Sequence, residues 1–366
     1  MPLLVDSHED LAWNILTFGR DYTRSVAETR RLEHGSTAEK ENGATLLGWP
    51  EYQRGQVAIV FSTLFASPRR RLVGDWETIA YDDDDYEQAH QLYLRQLYTY
   101  RDLTDAHPDK FRLIRTQKEL QVHLAEWQRP ADEKDGHPVG LVVLMEGAEG
   151  VRNVKELSQW WELGLRIIGP AWTGTRYCGG TREPGPLTTD GRQLLSAMAE
   201  FNYTLDLSHM DEQAALQALD FYPGPIIASH ANALALLPGS ESNRHLSDRL
   251  ITGLIEREAV IGVVPYCMFL KTGWKIGDPR EGITLEQVAA HIDHICQLGG
   301  DAHHAAIGTD FDGGFGLNAA PSDVDSIADL QKLSKLLENR GYTKDDIVAV
   351  FGQNWLRHLN QQLPQS

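Results

Sequence analysis

Leu3-Leu4-Val5-Asp6-Ser7-His8-Glu9-Asp10 is a short apolar run that ends abruptly in side chains able to bind metal. Side chains alternate faces along a strand, so His8 and Asp10 point the same way and Glu9 is turned aside. One strand end then presents an imidazole nitrogen and a carboxylate oxygen, a pair suited to zinc or a similar borderline ion. Taken alone, the stretch also reads as a surface turn in which Asp6 or Ser7 caps a helix beginning near Leu11. The choice depends on whether later strands end in the same way.

They do. Gln56–Phe65 is a continuous apolar run, the signature of a strand buried on both faces. Gly140–Met145 ends in Glu146, and Arg166–Trp172 follows a helical stretch around Val154–Leu163. Tyr203–Ser208 ends at His209, Pro225–Ser229 at His230, Ala259–Pro265 at Tyr266, and His304–Thr309 at Asp310. With helical segments between them, these eight strands form the pattern of an α/β protein, a (β/α)8 barrel of TIM type. No low-complexity linker divides the 366 residues. One catalytic domain, 1–366, is therefore expected, with C-terminal helices at about 326–361 packing on it.

In such a barrel the C-terminal strand ends share one mouth, where the chemistry sits. His8, Asp10, Glu146, His209, His230 and Asp310 all fall at such ends. A lone strand-end histidine is more often a core or capping residue, but six ligand-type placements on five strands point to a metal centre. Three histidines with two or more carboxylates exceed one tetrahedral ion, so two ions sharing a carboxylate is the economical arrangement. Glu146 is the natural bridge, because its strand lies between the two groups. Ions so placed would hold a bridging water, bring its pKa toward neutrality and polarise a carbonyl, with Asp310 relaying the proton to the leaving group.

Composition narrows the partners. Charged residues make up 23% and hydrophobic ones 42%, ordinary for a soluble protein with a core. A formal net charge of −18 repels nucleic acid and anionic membrane surfaces. No run approaches the roughly 20 apolar residues of a membrane span, and no leader-like segment precedes the first strand, so a cytoplasmic location is expected. Cys178, Cys267 and Cys296 are widely spaced and odd in number, which suits buried or half-buried thiols and not a disulfide framework. Asp82-Asp83-Asp84-Asp85 cannot share one ion and reads as the solvated flank of a helix over Tyr86–Leu103.

Together these motifs resemble the membrane (renal) dipeptidase family of dizinc peptidases, in the amidohydrolase-like barrel superfamily. Ser7-His8-Glu9-Asp10-Leu11 resembles the family's His-x-Asp opening, and Met145-Glu146-Gly147 its bridging-glutamate strand. Asp206-Leu207-Ser208-His209 and Ser229-His230 are similar to its two later histidine motifs. His291-Ile292-Asp293-His294-Ile295, then Gly308-Thr309-Asp310-Phe311-Asp312-Gly313, resemble its eighth strand and the helix before it. The tail through Gly352-Gln353-Asn354-Trp355-Leu356-Arg357 is similar as well.

The resemblance implies a homodimeric hydrolase of dipeptides, L-Xaa-D-Xaa included, with two Zn2+ as cofactors; manganese or cobalt also suits such donors. By it, His8 and Asp10 bind one ion, Glu146 bridges, and His209 and His230 bind the other. Arg244, in Ser242-Asn243-Arg244-His245, meets the substrate's free carboxylate, a task suited to a guanidinium fork. Asp310 meets the substrate amine and assists proton transfer, and Tyr266 lines the pocket.

The chain departs from the family at one point. Where the family presents a histidine that stabilises the oxyanion, this chain reads Gly169-Pro170-Ala171-Trp172-Thr173-Gly174. The Trp172 indole donates one hydrogen bond but carries no positive charge. Arg176, on a glycine-rich and mobile loop around Cys178-Gly179-Gly180, is the expected substitute. The departure keeps open a metal-dependent amidase or lactamase acting on a non-peptide amide, and a catalytically weakened relative that binds dipeptides. A mononuclear deaminase of the same superfamily is disfavoured, since those enzymes open with His-x-His and this chain has Asp10.

Overall fold

The computed structural model of the chain describes residues 1–72, 74, 76–129 and 136–366. The eight expected strands are present: β1 (Leu4–Glu9), β2 (Val57–Phe65), β3 (Val139–Glu146), β4 (Leu165–Gly169), β5 (Thr204–Asp206), β6 (Ile226–Ile227), β7 (Ile261–Val263) and β8 (Ala305–Ile307). β1 to β6 lie side by side in chain order in one parallel sheet, and β7 pairs in parallel with β8. Isolated parallel bridges, Ala228 to Ile261 and Phe311 to Glu9, join the two sheets and close the ring. The architecture is that of the (β/α)8 barrel.

β2 and β3 are apolar throughout because both faces are covered, and every residue in them is buried. The later strands are shorter than their apolar runs predict. Side chains there take over from the backbone ladder: Asp206 Oδ1 accepts from the Ser208 and Ser229 amides at 3.0 and 2.8 Å. In the same way Asn232 Oδ1 takes the Val264 amide and Asp6 Oδ1 the Thr309 amide. The barrel wall is tight on this side. A Cβ on Gly262 or Gly308 would lie 2.0 Å from the Ser229 carbonyl oxygen. The Ser7 hydroxyl fits beside them, donating to the carbonyls of Ser229 at 2.5 Å and Ile307 at 3.0 Å.

The helix Tyr86–Ala106 secures the mouth of the barrel. Asp85 caps it by accepting from the Gln88 amide, while Asp82 and Asp83 pair with Arg69 and Arg70, so the acidic flank is partly neutralised. Gln96 on its buried face accepts from the Phe65 amide at 2.8 Å and donates to the Phe65 carbonyl, and the Tyr93 hydroxyl donates to the Glu146 carbonyl at 2.8 Å. The ends of β2 and β3 are thereby fixed.

The chain's last helical turns run from Ile327–Lys332 to Asn354–Gln362 and pack against the barrel. Trp355 is fully buried edge-on to Phe61, centroids 5.2 Å apart, and its Nε1 donates to the Ile307 carbonyl. The three cysteines are free and buried. Among the described residues, no helix is long and apolar enough to cross a membrane.

Candidate metal centre and active site

Of the two readings of the opening stretch, the surface turn fails, because Asp6 and Ser7 are fully buried in β1 and cap no helix. A helix does begin at Leu11, and Asp10 occupies its N-cap position, but the Asp10 carboxylate makes no capping bond. It turns instead to His8, with Oδ2 3.7 Å from His8 Nε2. Glu9 points elsewhere, to the Tyr52 hydroxyl. Across the mouth, Glu146 offers Oε2 at 3.8 Å from His8 Nε2 and Oε1 at 2.9 Å from His209 Nε2 and 3.4 Å from His230 Nε2. Asp310 Oδ1 lies 3.8 Å from His8 Nε2. His209 and Asp310 both have left-handed backbone, φ +66° and +56°. Residues other than glycine rarely adopt this conformation, and such strain concentrates at functional sites.

The polar atoms fit a cation. Three overlapping sets bring their ligand atoms within 4.8 Å of one another: His8, Asp10 and Glu146; Glu146, His209 and His230; His8, His230 and Asp310. Both ring nitrogens of His8 and Oδ1 of Asp10 are buried with no hydrogen-bond partner among the described residues. Buried polar groups are almost always paired, so these atoms are set for a ligand.

The imidazole tautomers agree with this. The Ser229 hydroxyl donates to Asp206 Oδ2, so it accepts from His230 Nδ1 at 2.8 Å. That leaves His230 Nε2 as a bare lone pair, 2.9 Å from His209 Nε2. Thr181 Oγ1 engages His209 Nδ1 at 3.0 Å and leaves Nε2 of that ring to face Glu146. A cation between such atoms removes the repulsion.

The protein's own charges are out of balance here. Burial pushes Glu146 well above the carboxylate range, and burial, then Asp10, pushes Asp310 up to about 7 despite His8. Burial opposes a charge on His8, but Glu146, Asp10 and Asp310 outweigh it and raise it to about 10. Burial, with Arg244 and His8, holds His209 and His230 well below the usual histidine value. The neutral imidazoles of His209 and His230 are in the donor state that a divalent ion requires, whereas His8 must give up its proton for an ion to take over its positive charge.

Asp10, Glu146, His209 and Asp310 open onto a cavity of about 390 Å³ that is also lined by Arg244, Tyr266 and Trp172. Pockets of such size hold small organic ligands. Arg244 is buried; its Nη2 donates to the His230 carbonyl at 2.6 Å, while Nε and Nη1 have no partner. Tyr266 stacks on Phe315 at 4.2 Å. Trp172 lies edge-on to Phe65 at 5.0 Å and 6.5 Å from the His209 ring. Arg176 apart, all nine residues singled out from sequence are thus at one mouth.

Arg176 is the exception. It does not reach in: its guanidinium lies over the Tyr86 ring at 3.9 Å, donates to the Val151 carbonyl and pairs with Glu149. The glycine-rich loop that was to carry it is an antiparallel hairpin, Cys178–Gly180 with Glu183–Leu187, anchored by Asn243 Nδ2 to the Gly180 carbonyl. The hairpin instead presents Thr181 to His209 and Arg182 to the cavity. Sequence reasoning missed these two, and also Trp13, Phe65, Trp76, Phe269 and Phe315 in the cavity wall. An aromatic residue near a strand end carries no signal that separates pocket from core.

Known proteins resemble this chain in sequence and in fold. A protein encoded in the pqqA 5′ region of Klebsiella pneumoniae is 29% identical over 250 residues, 66% of this chain and 87% of that one. Dipeptidase tcpJ of Claviceps purpurea is 27% identical over 61% of this chain, which covers 51% of the fungal protein's length. Among solved structures, a metallopeptidase from Rhodobacter sphaeroides, liganded with a phosphinate mimic of L-Ala-D-Ala, superposes with a TM-score of 0.78. It is 24% identical, with 99% of each chain covered. Another, dipeptidase AC of peptidase family M19, gives 0.77 at 23% identity, covering 100% of this chain and 99% of that one. The family model for membrane dipeptidase matches residues 2–364. Over almost its whole length, therefore, the chain belongs to the membrane dipeptidase family, peptidase family M19, the hydrolases of dipeptide peptide bonds.

Proposed function

We propose that this protein hydrolyses dipeptides with two divalent ions, zinc in the first instance, held by His8, Asp10 and Glu146 on one side and by Glu146, His209 and His230 on the other. The observation that carries the reading is the division of Glu146: one carboxylate oxygen faces His8, the other faces His209 and His230. Ions at such sites bring a shared water's pKa toward neutrality and polarise a carbonyl. The remaining steps belong to the chain's own residues. Arg244, with Nε and Nη1 open, pairs with the substrate's free carboxylate and fixes the scissile amide over Glu146. Asp310, across from Glu146 and beside His8, takes a proton and returns it to the leaving amine. Asp206, through Ser229, and Thr181 hold the two imidazoles in one tautomer. L-Xaa-D-Xaa dipeptides belong to the proposed substrate range, and a homodimer is the proposed assembly.

The test is metal analysis of the purified protein paired with a panel of L-L and L-D dipeptides. About two metal equivalents per chain with turnover supports the proposal; a fully loaded protein that leaves the whole panel intact for hours overturns the substrate class. Trp172 favours a second reading, a metal-dependent amidase on a non-peptide amide bearing a carboxylate. An Arg244→Ala variant with unchanged KM for dipeptides would favour that reading.

A further inference from the structure

The cavity wall carries two aromatic arms alongside polar residues such as Arg71, Arg182 and Ser242. One arm holds Tyr266, Phe269 and Phe315: Tyr266 stacks on Phe315, lies 5.0 Å from Phe269, and Phe269 sits 5.3 Å from the Arg244 guanidinium. The other arm holds Trp13, Phe65, Trp76 and Trp172. Trp13 packs edge-on to Trp76 at 4.7 Å and 5.7 Å from Phe65, and Phe65 meets Trp172 edge-on at 5.0 Å. Four separate segments of the chain contribute these rings, and Gly314, at φ +86°, lets the Trp76 and Trp13 rings close over it: a Cβ there would lie 3.1 and 3.8 Å from their edges.

We infer that the Trp13, Phe65, Trp76 and Trp172 arm is the subsite for the substrate's N-terminal side chain and selects a large apolar, above all aromatic, residue there. The inference rests on the dipeptidase reading. With the substrate carboxylate on Arg244, the C-terminal side chain falls on the Tyr266 and Phe269 arm beside that guanidinium. The scissile carbonyl lies over Glu146, and the N-terminal residue continues past it, toward Asp10 and the helix Leu11–Phe18 that carries Trp13.

One feature marks the arm as suited to an apolar ligand. Trp172, where the family resemblance places a cationic oxyanion donor, here extends the apolar wall.

The test is a steady-state panel on the metal-loaded protein: L-Trp, L-Phe, L-Leu, L-Ala and L-Asp at the N-terminal position, each joined to the same alanine. The expected result is a kcat/KM for L-Phe and L-Trp about 10-fold or more above L-Ala, carried mostly by KM, with L-Asp lowest, in line with the 10–200-fold that apolar pockets achieve. Trp76→Ala and Trp172→His should each shrink the ratio of L-Phe to L-Ala. Quenching of tryptophan fluorescence by a phosphinate mimic of L-Phe-L-Ala, weakened in both variants, gives a second readout independent of turnover. A flat or reversed wild-type ranking overturns the subsite while leaving the dipeptidase reading intact. No cleavage of any member overturns the dipeptidase reading, and the subsite with it.

Discussion

Two buried acidic centres lie two residues apart on the loop after β8, and they solve the same electrostatic problem in opposite ways. Asp310 faces His8, Asp10 and Glu146, where His8 has two unpaired nitrogens and Asp10 an unpaired oxygen. Asp312, fully buried, is saturated. Its Oδ1 accepts from the Leu46 amide at 3.0 Å, and Oδ2 from Thr45 Oγ1 at 2.6 Å, the Tyr22 hydroxyl at 3.1 Å and Arg20 Nη1 at 3.0 Å. Arg20 is itself completed by Glu33, Asn14 and the Gly43 carbonyl. A dense set of buried carboxylates is therefore not by itself a cation site. What separates the two is whether the protein supplies its own positive charge and donors.

The contrast predicts opposite phenotypes for neighbouring substitutions. Glu146→Gln removes the shared ligand, and turnover should fall on the order of 10³-fold or more, beyond the 10–100-fold typical of losing an outer partner, with the fold intact by circular dichroism. Asp312→Ala leaves Arg20 with Glu33 alone and strands the buried Leu46, Thr45 and Tyr22 donors, and should cost about 3–5 kcal/mol in denaturant unfolding. Exchange of the two outcomes would break the comparison.

Stripping the metal with a chelator should lower the wild-type stability by about 2–4 kcal/mol, as expected for loss of a ligand held far above its Kd. The melting temperature of Glu146→Gln should respond little. Thr181→Val removes the hydroxyl that orients His209 and should weaken metal binding by about 10–100-fold, read by competition with a chromogenic chelator.

The smallest effect concerns histidines that serve the framework and not the site. Burial holds His123, bonded to the Ala58 carbonyl, down at about 4, and His358, bonded to Thr204, down at about 3, whereas the carboxylates around His8 lift it. A depressed histidine makes the unfolded chain the better proton binder between the two pKa values. Stability is therefore full above about pH 6.5 and falls as pH drops toward 4 and then 3, by up to about 1.4 kcal/mol per pH unit for each group. His123→Gln should flatten that slope in urea titrations between pH 6.5 and 4.

Which features were legible in advance follows the same division. The eight strands announced themselves because a run such as Val57–Phe65 must be buried on both faces, and because a polar ligand directly after such a run marks a strand's exposed end. His8, Asp10, Glu146, His209, His230 and Asp310 followed from that rule alone. The same rule could not distinguish Asp310 from Asp312, since one side chain faces the barrel mouth and the other faces a loop that returns from residues 20–46. Nor could it place Arg176, whose sequence neighbours suggested a flexible loop where hairpin pairing in fact fixes the chain.

The sequence by itself determined the periodic and strand-end features: barrel order, the candidate ligand residues and the family, because these depend on residue type at a fixed spacing from an apolar run. Only the tertiary structure decided which carboxylates lack donors, that Thr181 orients His209, and that Trp13, Phe65, Trp76 and Trp172 line one arm of the cavity. Those facts depend on contacts between segments far apart in the chain, where no local pattern records which side chain will find a partner and which will be left open for a ligand.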